Sequence, residues 1–120
     1  MPFPNDQWRH PTSWERSILD RLMTGNFQGA EEVRKQIAGA MVSSLDDFGS
    51  ISIRTTANAK ANVRARVPIE AYANDIDGNR IHYLLHVVDG LVNELEVYTD
   101  TTECPMRHPD VTELTLQINE

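Results

Sequence analysis

Alternating apolar and polar residues in the second half of the chain predict β-strands joined by short turns. The clearest alternation runs through IHYLLHVVDGLVNELEVYT, residues 81–99, and is interrupted at Asp89-Gly90. Asp-Gly between two alternating runs is among the strongest local signals for a β-hairpin with a two-residue loop. The sequence therefore predicts a central hairpin around which the other strands are arranged.

The two-residue loop also predicts which side chains of the hairpin share a face. His86 is expected opposite Asn93, on a mostly apolar face that should meet the core. That face carries His82, Leu84, His86, Val88, Leu91, Asn93, Leu95 and Val97. The opposite face places Glu94 and Glu96 among apolar side chains and is expected to be half exposed.

Two earlier stretches have helical spacing instead. Apolar residues recur every fourth position from Trp14 to Leu22, and Thr12 with Glu15 has the spacing of a capping box. A second helix is expected over residues 30–38, with acids in its first turn and bases later, as the helix dipole favours. Both predicted helices are short, so they need a packing partner to be stable.

Alternation resumes after the second helix and predicts further strands over residues 41–45, 48–54, 63–72 and 111–118. Pro68 lacks a backbone donor, so the strand that contains it should lie at an edge or carry a bulge. Two helices followed by a run of strands indicate the α+β class. We expect two N-terminal helices packed on one face of an antiparallel meander sheet of about five to six strands. Residues 1–11 are expected to form an N-terminal arm, and residues 12–120 a single domain.

A length of 120 residues, with 40% hydrophobic and 24% charged residues, suits one soluble globular domain. No apolar run approaches the length of about 20 residues that spans a bilayer, so no membrane contact is expected. The first residues lack the pattern of a secretory signal. Cys104 is the single cysteine, which excludes an internal disulfide and fits a reducing, cytoplasmic setting.

The net charge of −7 is unevenly distributed along the chain. Residues 67–120 contain eleven acids and two bases, a net charge of −9, whereas residues 1–66 have a net charge of +2. This surplus of acids disfavours nucleic acid, whose phosphates need Lys and Arg. It fits either an ordinary solvated surface or one negative face presented to a basic protein. The residues predicted for that face are Glu94, Glu96, Asp75, Asp77, Asp89 and Asp100.

The hairpin also predicts an alternative polar site of His86, Asn93 and Tyr83, with His86 as the best candidate for a general base. A histidine hydrogen-bonded within the sheet is the other interpretation. His82 and His86 share one strand at a separation of about 13 Å, which is too far for a common metal ion. The chain has no phosphate-binding glycine loop, dinucleotide-binding pattern or HExxH motif, so no catalytic residue, metal or cofactor is predicted.

Three segments carry longer motifs: LMTGNFQGAEEVRKQIAGAMV at residues 22–42, VPIEA at residues 67–71 and LLHVVDGLVNELEVY at residues 84–98. They resemble the patterns LLTxDFxGAxxLRxQLAGAxV, VPxEA and LLHVxDGxLxELEVY of an uncharacterised family of small acidic bacterial α+β proteins. Many members have a cysteine- and glycine-rich stretch after the first strand, where this chain has DDFGS at residues 46–50. The resemblance implies one compact domain and, because the family has no assigned activity, no mechanism.

Three functions stay open at this point. The leading hypothesis is a small protein-binding domain of the immunity or antitoxin type, which neutralises a basic toxin through its acidic sheet face. The alternatives are a ligand-binding or enzymatic domain that uses His86 and Asn93, and a homodimeric domain without a separate activity. They differ in whether the decisive feature is an acidic face, a pocket at His86 or a self-associating sheet.

Overall fold

Both helices and most strands lie near the predicted positions, but the strands predicted to begin at residues 63 and 111 begin only at Ile69 and Thr115. The computed structural model describes residues 7–75, 77–105 and 107–119. A 3₁₀ turn over Val111–Glu113 precedes the last strand. The elements are α1 (Ser13–Leu22), α2 (Ala30–Ala38), β1 (Met41–Ser44), β2 (Ile51–Arg54), β3 (Ile69–Asn74), β4 (Arg80–Val88), β5 (Leu91–Thr99) and β6 (Thr115–Ile118).

All neighbouring strands are antiparallel, in the order β1-β2-β5-β4-β3-β6. The α+β class and the antiparallel sheet are thereby confirmed. Only β3, β4 and β5 form a meander, because the β1–β2 hairpin attaches to β5 and β6 attaches to β3. The prediction of a meander throughout the sheet was therefore wrong at both ends.

The strand predicted over residues 63–72 begins only at Ile69 and lies between β4 and β6. The edge position, one of the two alternatives expected from Pro68, was wrong, and Pro68 itself lies outside the strand. Pro68 immediately precedes β3, so its missing donor removes no bond from the strand itself. Its carbonyl accepts a hydrogen bond from the Asn119 N–H at 3.0 Å, and the Arg66 carbonyl accepts one from Val87 at 2.8 Å.

Local signals fix the start of α1. The Thr12 hydroxyl accepts from the Glu15 N–H at 3.1 Å, and the Glu15 carboxylate accepts from the Thr12 N–H at 2.9 Å, which confirms the capping box. Arg9 donates twice to the same carboxylate, at 2.7 and 2.9 Å, and thereby lowers the pKa of Glu15. Residues 1–6 of the predicted arm lie outside the described residues.

Both helices contribute side chains to the same hydrophobic core as the strands. Ile18 and Leu22 of α1 and Val33 and Ile37 of α2 are buried. Along the strands, buried residues alternate with half-buried or exposed ones, which gives the sheet an apolar and a polar side. The inward-facing residues of the strands are Val42, Ile51, Ile53, Ile69, Ala71, Ile81, Tyr83, Leu85, Val87, Val92, Leu95 and Val97.

The β4–β5 hairpin contains a β-bulge that the sequence analysis did not predict. Val87 pairs with Val92 as expected, but Asn93 is unpaired and His86 lies opposite Glu94. One extra residue in β5 changes which side chains of the two strands share a face. Beyond the bulge, Leu95 and Val97 face the core and Glu94 and Glu96 lie on the other side, as predicted. The predicted faces were wrong for residues 91–93 and along β4, where Ile81, Tyr83, Leu85 and Val87 are the buried residues. The bulge keeps Val92 and Leu95 on the apolar side although they are three residues apart, which simple alternation does not allow.

Among the described residues, no helix has the length and apolar character needed to cross a membrane. Both α-helices are far shorter than a span of about 20 residues.

Candidate functional site

Acidic, histidine and tyrosine side chains lie together on the polar side of β3, β4 and β5. We call this surface the outer face, and it consists of Glu70, Tyr72, His82, Leu84, His86, Glu94, Glu96 and Tyr98, with Asp100 directly after β5. These residues alternate with buried core residues along each strand. The strand pairing sets Glu96 opposite Leu84 and Glu70 opposite the same Leu84 from the other side. The outer face is therefore held by three hydrogen-bonded strands.

His86 lies at one end of the outer face, between an arginine and a carboxylate. The Arg66 Nε donates to His86 Nδ1 at 3.0 Å, and His86 Nε2 lies 2.8 Å from Oε1 of Glu96. An arginine nitrogen can only donate, so Nδ1 is the acceptor and the ring proton is on Nε2, from which it is donated to Glu96. The chain Arg66–His86–Glu96 thus fixes the tautomer and the orientation of the imidazole.

The same histidine belongs to a cluster that could supply metal ligands. His86, Glu94 and Glu96 each offer one ligand atom, and these atoms lie within 4.8 Å of one another. One imidazole and two carboxylates suit Zn²⁺ or another first-row metal ion. Binding would require His86 Nε2 to release its proton and Arg66 to withdraw from Nδ1. In the observed contacts, His86 and Glu96 are hydrogen-bonded to each other, and Arg66 completes the network.

The other end of the outer face is aromatic and acidic. The His82 and Tyr98 rings stack 4.5 Å apart at an angle of 9°, and His82 Nε2 lies 2.7 Å from Oδ1 of Asp100. Tyr98 is 40% exposed, although its aromatic ring offers a large apolar surface for burial. Burial, together with the carboxylates of Glu70, Glu96 and Asp100, raises the pKa of Tyr98. This end therefore combines an exposed aromatic ring with negative charge.

Three of the six acids predicted for a binding face lie along β5 and its end: Glu94, Glu96 and Asp100. Glu70 joins them from β3, because β3 and β5 both flank β4. Glu70 was not among the residues predicted for this face. Its position on a strand was visible from alternation, but the order of the strands was not.

The other three predicted acids lie elsewhere. Asp75 is buried, at 7% exposure, so it does not contribute to a surface patch. Asp77 is exposed in the β3–β4 turn, at the same end of the hairpin as Asp100. Asp89 is in the β4–β5 turn, at the opposite end of two nine-residue strands and hence about 30 Å away. The six residues therefore do not form one surface.

The alternative polar site of His86, Asn93 and Tyr83 does not exist as predicted. Tyr83 is fully buried on the apolar side, His86 is on the outer face, and Asn93 is the exposed bulge residue. The bulge places Glu94, not Asn93, opposite His86. This correction removes the basis for a general base acting with these partners.

A cluster that the sequence analysis missed lies where α1 meets the segment before β6. Tyr83 Oη and His108 Nδ1 are 2.8 Å apart, and the Trp14 and His108 rings are 4.1 Å apart. A cavity of about 500 Å³ opens beside Trp14, Ser17, Arg107 and His108. Burial lowers the pKa of His108, although Asp75 and the backbone of Phe48 oppose this effect. No local pattern links residues so distant in sequence, so the cluster could not be predicted.

Comparison with known proteins gives one positive result. A family model matches residues 8–105, which include both helices and β1 to β5. No curated protein and no solved structure matches the chain. The match confirms that the resemblance is to a family without an assigned activity. The chain belongs to DUF6984, a family described as a domain of unknown function.

Proposed function

We propose that this chain is a small protein-binding domain that docks the outer face of its sheet on a basic protein, as immunity or antitoxin-type proteins do. The observation that carries the proposal is the clustering of Glu70, Glu94, Glu96 and Asp100 on one rigid face. A negative face and a positive partner associate quickly and exclude wrongly charged competitors.

Little positive charge offsets these four acids. Arg66 donates to His86, and the guanidinium of Arg80 lies 4.6 Å above the Tyr72 ring. Among the described residues, neither arginine forms an ion pair with a carboxylate. Glu96 and Asp100 contact His86 and His82, and Glu70 accepts from the Asn119 amide, so within the described ranges the charge on this face is offset by neither Lys nor Arg.

The face also has groups that suit the centre of an interface. Tyr98 and Tyr72 are aromatic residues on the outer face, and tyrosine is enriched at energetically important interface positions. The proposal includes α1 and α2 covering the opposite face. Its support is that their buried side chains belong to the same core as the inward-facing strand residues.

The proposal is tested by capturing the partner. The tagged chain is expressed in its native host and recovered at about 50 mM and about 500 mM salt, because salt screens such a contact. We expect a basic protein to be retained at low salt and lost at high salt. If that protein arrests growth when produced alone, and coexpression of this chain relieves the arrest, the immunity role is supported. If the partner does not arrest growth, the protein-binding proposal stands but the immunity role is excluded.

A matched pair of variants assigns the contact to the outer face. The face variant combines Glu70→Gln, Glu94→Gln, Glu96→Gln and Asp100→Asn. The control variant neutralises four exposed acids elsewhere, with Asp20→Asn, Glu31→Gln, Asp47→Asn and Glu113→Gln. Both variants have the same net charge, so only the position of the lost charge differs. Equal capture by the two variants would contradict the proposal.

A further inference from the structure

We propose that the open edge of β6 pairs antiparallel with β6 of a second copy of this chain, which joins two six-stranded sheets into one. The partner is a second copy because β6 is uncharged, its outward backbone groups have no partner among the described residues, and the strand is self-complementary about Gln117. The inference is independent of the basic partner proposed above.

The two edges of the sheet differ. At the β1 edge, the Arg9 N–H donates to the Val42 carbonyl at 2.9 Å, and the Val42 N–H donates to the Arg9 carbonyl at 2.8 Å. Arg9, in the segment before α1, thus covers the middle of that edge. Across the described ranges, no residue pairs with the outer side of β6. An edge strand with exposed donors and acceptors is a template for pairing with another chain.

The hydrogen bonds to β3 identify which backbone groups of β6 point outward. Asn119 donates to Pro68, and Asn119 and Gln117 are alternate residues of the same edge. In an antiparallel ladder, alternate residues bond to the same neighbour, so Leu116 and Ile118 direct their N–H and C=O groups away from β3. Two neighbouring outward positions are available for a second strand.

A two-fold axis through Gln117 satisfies all of these groups. Leu116 of one copy then pairs with Ile118 of the other, and Ile118 with Leu116, which forms four inter-chain hydrogen bonds. The two Gln117 side chains face each other across the axis. Because the axis is perpendicular to the sheet, the apolar side of one copy continues into the apolar side of the other.

The side chains support the same pairing. Ile118 and Leu116 pair with the buried residues Ile69 and Ala71, so both lie on the apolar side of the sheet. Ile118 is nevertheless 41% exposed, and Leu116 is only half-buried. Two copies joined in this register would cover these side chains with one another, and burying apolar surface favours association.

Charge also favours this edge. The chain has a net charge of −7, so two copies repel each other wherever acids meet. The strand β6 has the sequence TLQI, with no charge and no proline. Charged side chains, proline and bulges are among the devices by which natural proteins block edge pairing, and β6 has none of these three, although at four residues it is a short strand.

The test uses the full chain in sedimentation velocity from about 10 µM to about 500 µM, a range in which a weak dimer becomes visible. We expect the mass to rise towards twice the monomer mass. Gln117→Glu and Gln117→Lys each place like charges opposite one another and should weaken dimerisation about tenfold or more. An equal mixture of the two variants should recover a heterodimer, because opposite charges then face each other.

Leu45→Lys is the control, because Leu45, like Ile118, is a large aliphatic residue that is exposed, at 50%, and it follows β1 at the opposite edge. That variant should dimerise like the wild type. Circular dichroism checks that each variant is folded. A wild-type chain that stays monomeric at the highest concentration would overturn the inference. A dimer that both Gln117 variants leave unchanged would overturn it as well.

Discussion

The Gln36 side chain forms hydrogen bonds with backbone groups near the β4–β5 turn, at a position where, in the described part of the chain, β5 has no neighbouring strand on that side. It is fully buried, and its Nε2 donates to the carbonyls of Ala59 and Gly90 at 2.8 and 2.9 Å. Its Oε1 accepts from the Val92 N–H at 2.7 Å. Since β2 pairs with β5 only at two positions, this side chain supplies a partner for the Val92 N–H and the Ala59 carbonyl near the hairpin tip, and a second donor to the Gly90 carbonyl, which also accepts from the Ala61 N–H.

Gln36→Leu should therefore be strongly destabilising. The substitution nearly preserves volume but leaves two backbone groups, the Ala59 carbonyl and the Val92 N–H, without this partner, at roughly 1–3 kcal/mol each, while the Gly90 carbonyl keeps the Ala61 N–H. We expect the free energy of unfolding to fall by about 3 kcal/mol or more in urea denaturation. Lys35→Leu, at the neighbouring exposed position, is the control. A loss below about 0.5 kcal/mol for Gln36→Leu would show that its hydrogen bonds do not hold the tip.

His108 predicts a pH dependence of stability. Burial lowers its pKa below the ordinary value of 6.5, so the unfolded chain takes up a proton before the folded chain does. Stability is thus fully present above pH 6.5 and is lost as the pH falls through the lowered pKa of the folded state. Urea midpoints between about pH 7 and about pH 5 should decrease in the wild type and decrease less in His108→Gln. Identical slopes in both proteins would refute this role.

At the scale of elements, those with strong local signals could be predicted. The capping box of Thr12 and Glu15 starts α1, and Asp89-Gly90 adopts the positive φ angles of 52° and 79° that its hairpin turn needs. The bulge could not be derived from the turn, because loop length fixes register only while both strands alternate without interruption. The apolar spacing of three between Val92 and Leu95 was the signal that the alternation changes phase there.

The bulge predicts which single-residue deletion in β5 the fold tolerates. Deleting Asn93 should preserve every pair of the β4–β5 hairpin, because Asn93 is the residue without a partner. We expect thermal unfolding to remain cooperative, with a loss below about 2 kcal/mol. Deleting Glu96 instead turns Val97 outward and Tyr98 into the core, and should prevent folding. If both deletions were equally harmful, the bulge would be an essential feature and not an extra residue.

At the scale of the whole molecule, the excess of acidic residues could be predicted from the sequence, but their positions on the folded surface could be predicted only in part. The acid-rich half of the chain is evident from sequence, and Glu94, Glu96 and Asp100 do lie together. Glu70 was missed because nothing local states that β3 and β5 flank β4. The Trp14 and His108 contact depends on the same long-range packing. Side chains brought together by strand order thus lie beyond what the pattern alone can predict.

The most direct test of the proposed function is the affinity of the captured partner for the wild type, the face variant and the control variant, measured by calorimetry at about 50 mM salt. We predict that the face variant loses about 100-fold in affinity, and that the control variant stays within a factor of about three. Raising the salt should weaken the wild-type complex much more than the face variant. Equal affinities for the two variants would contradict the assignment of binding to the outer face.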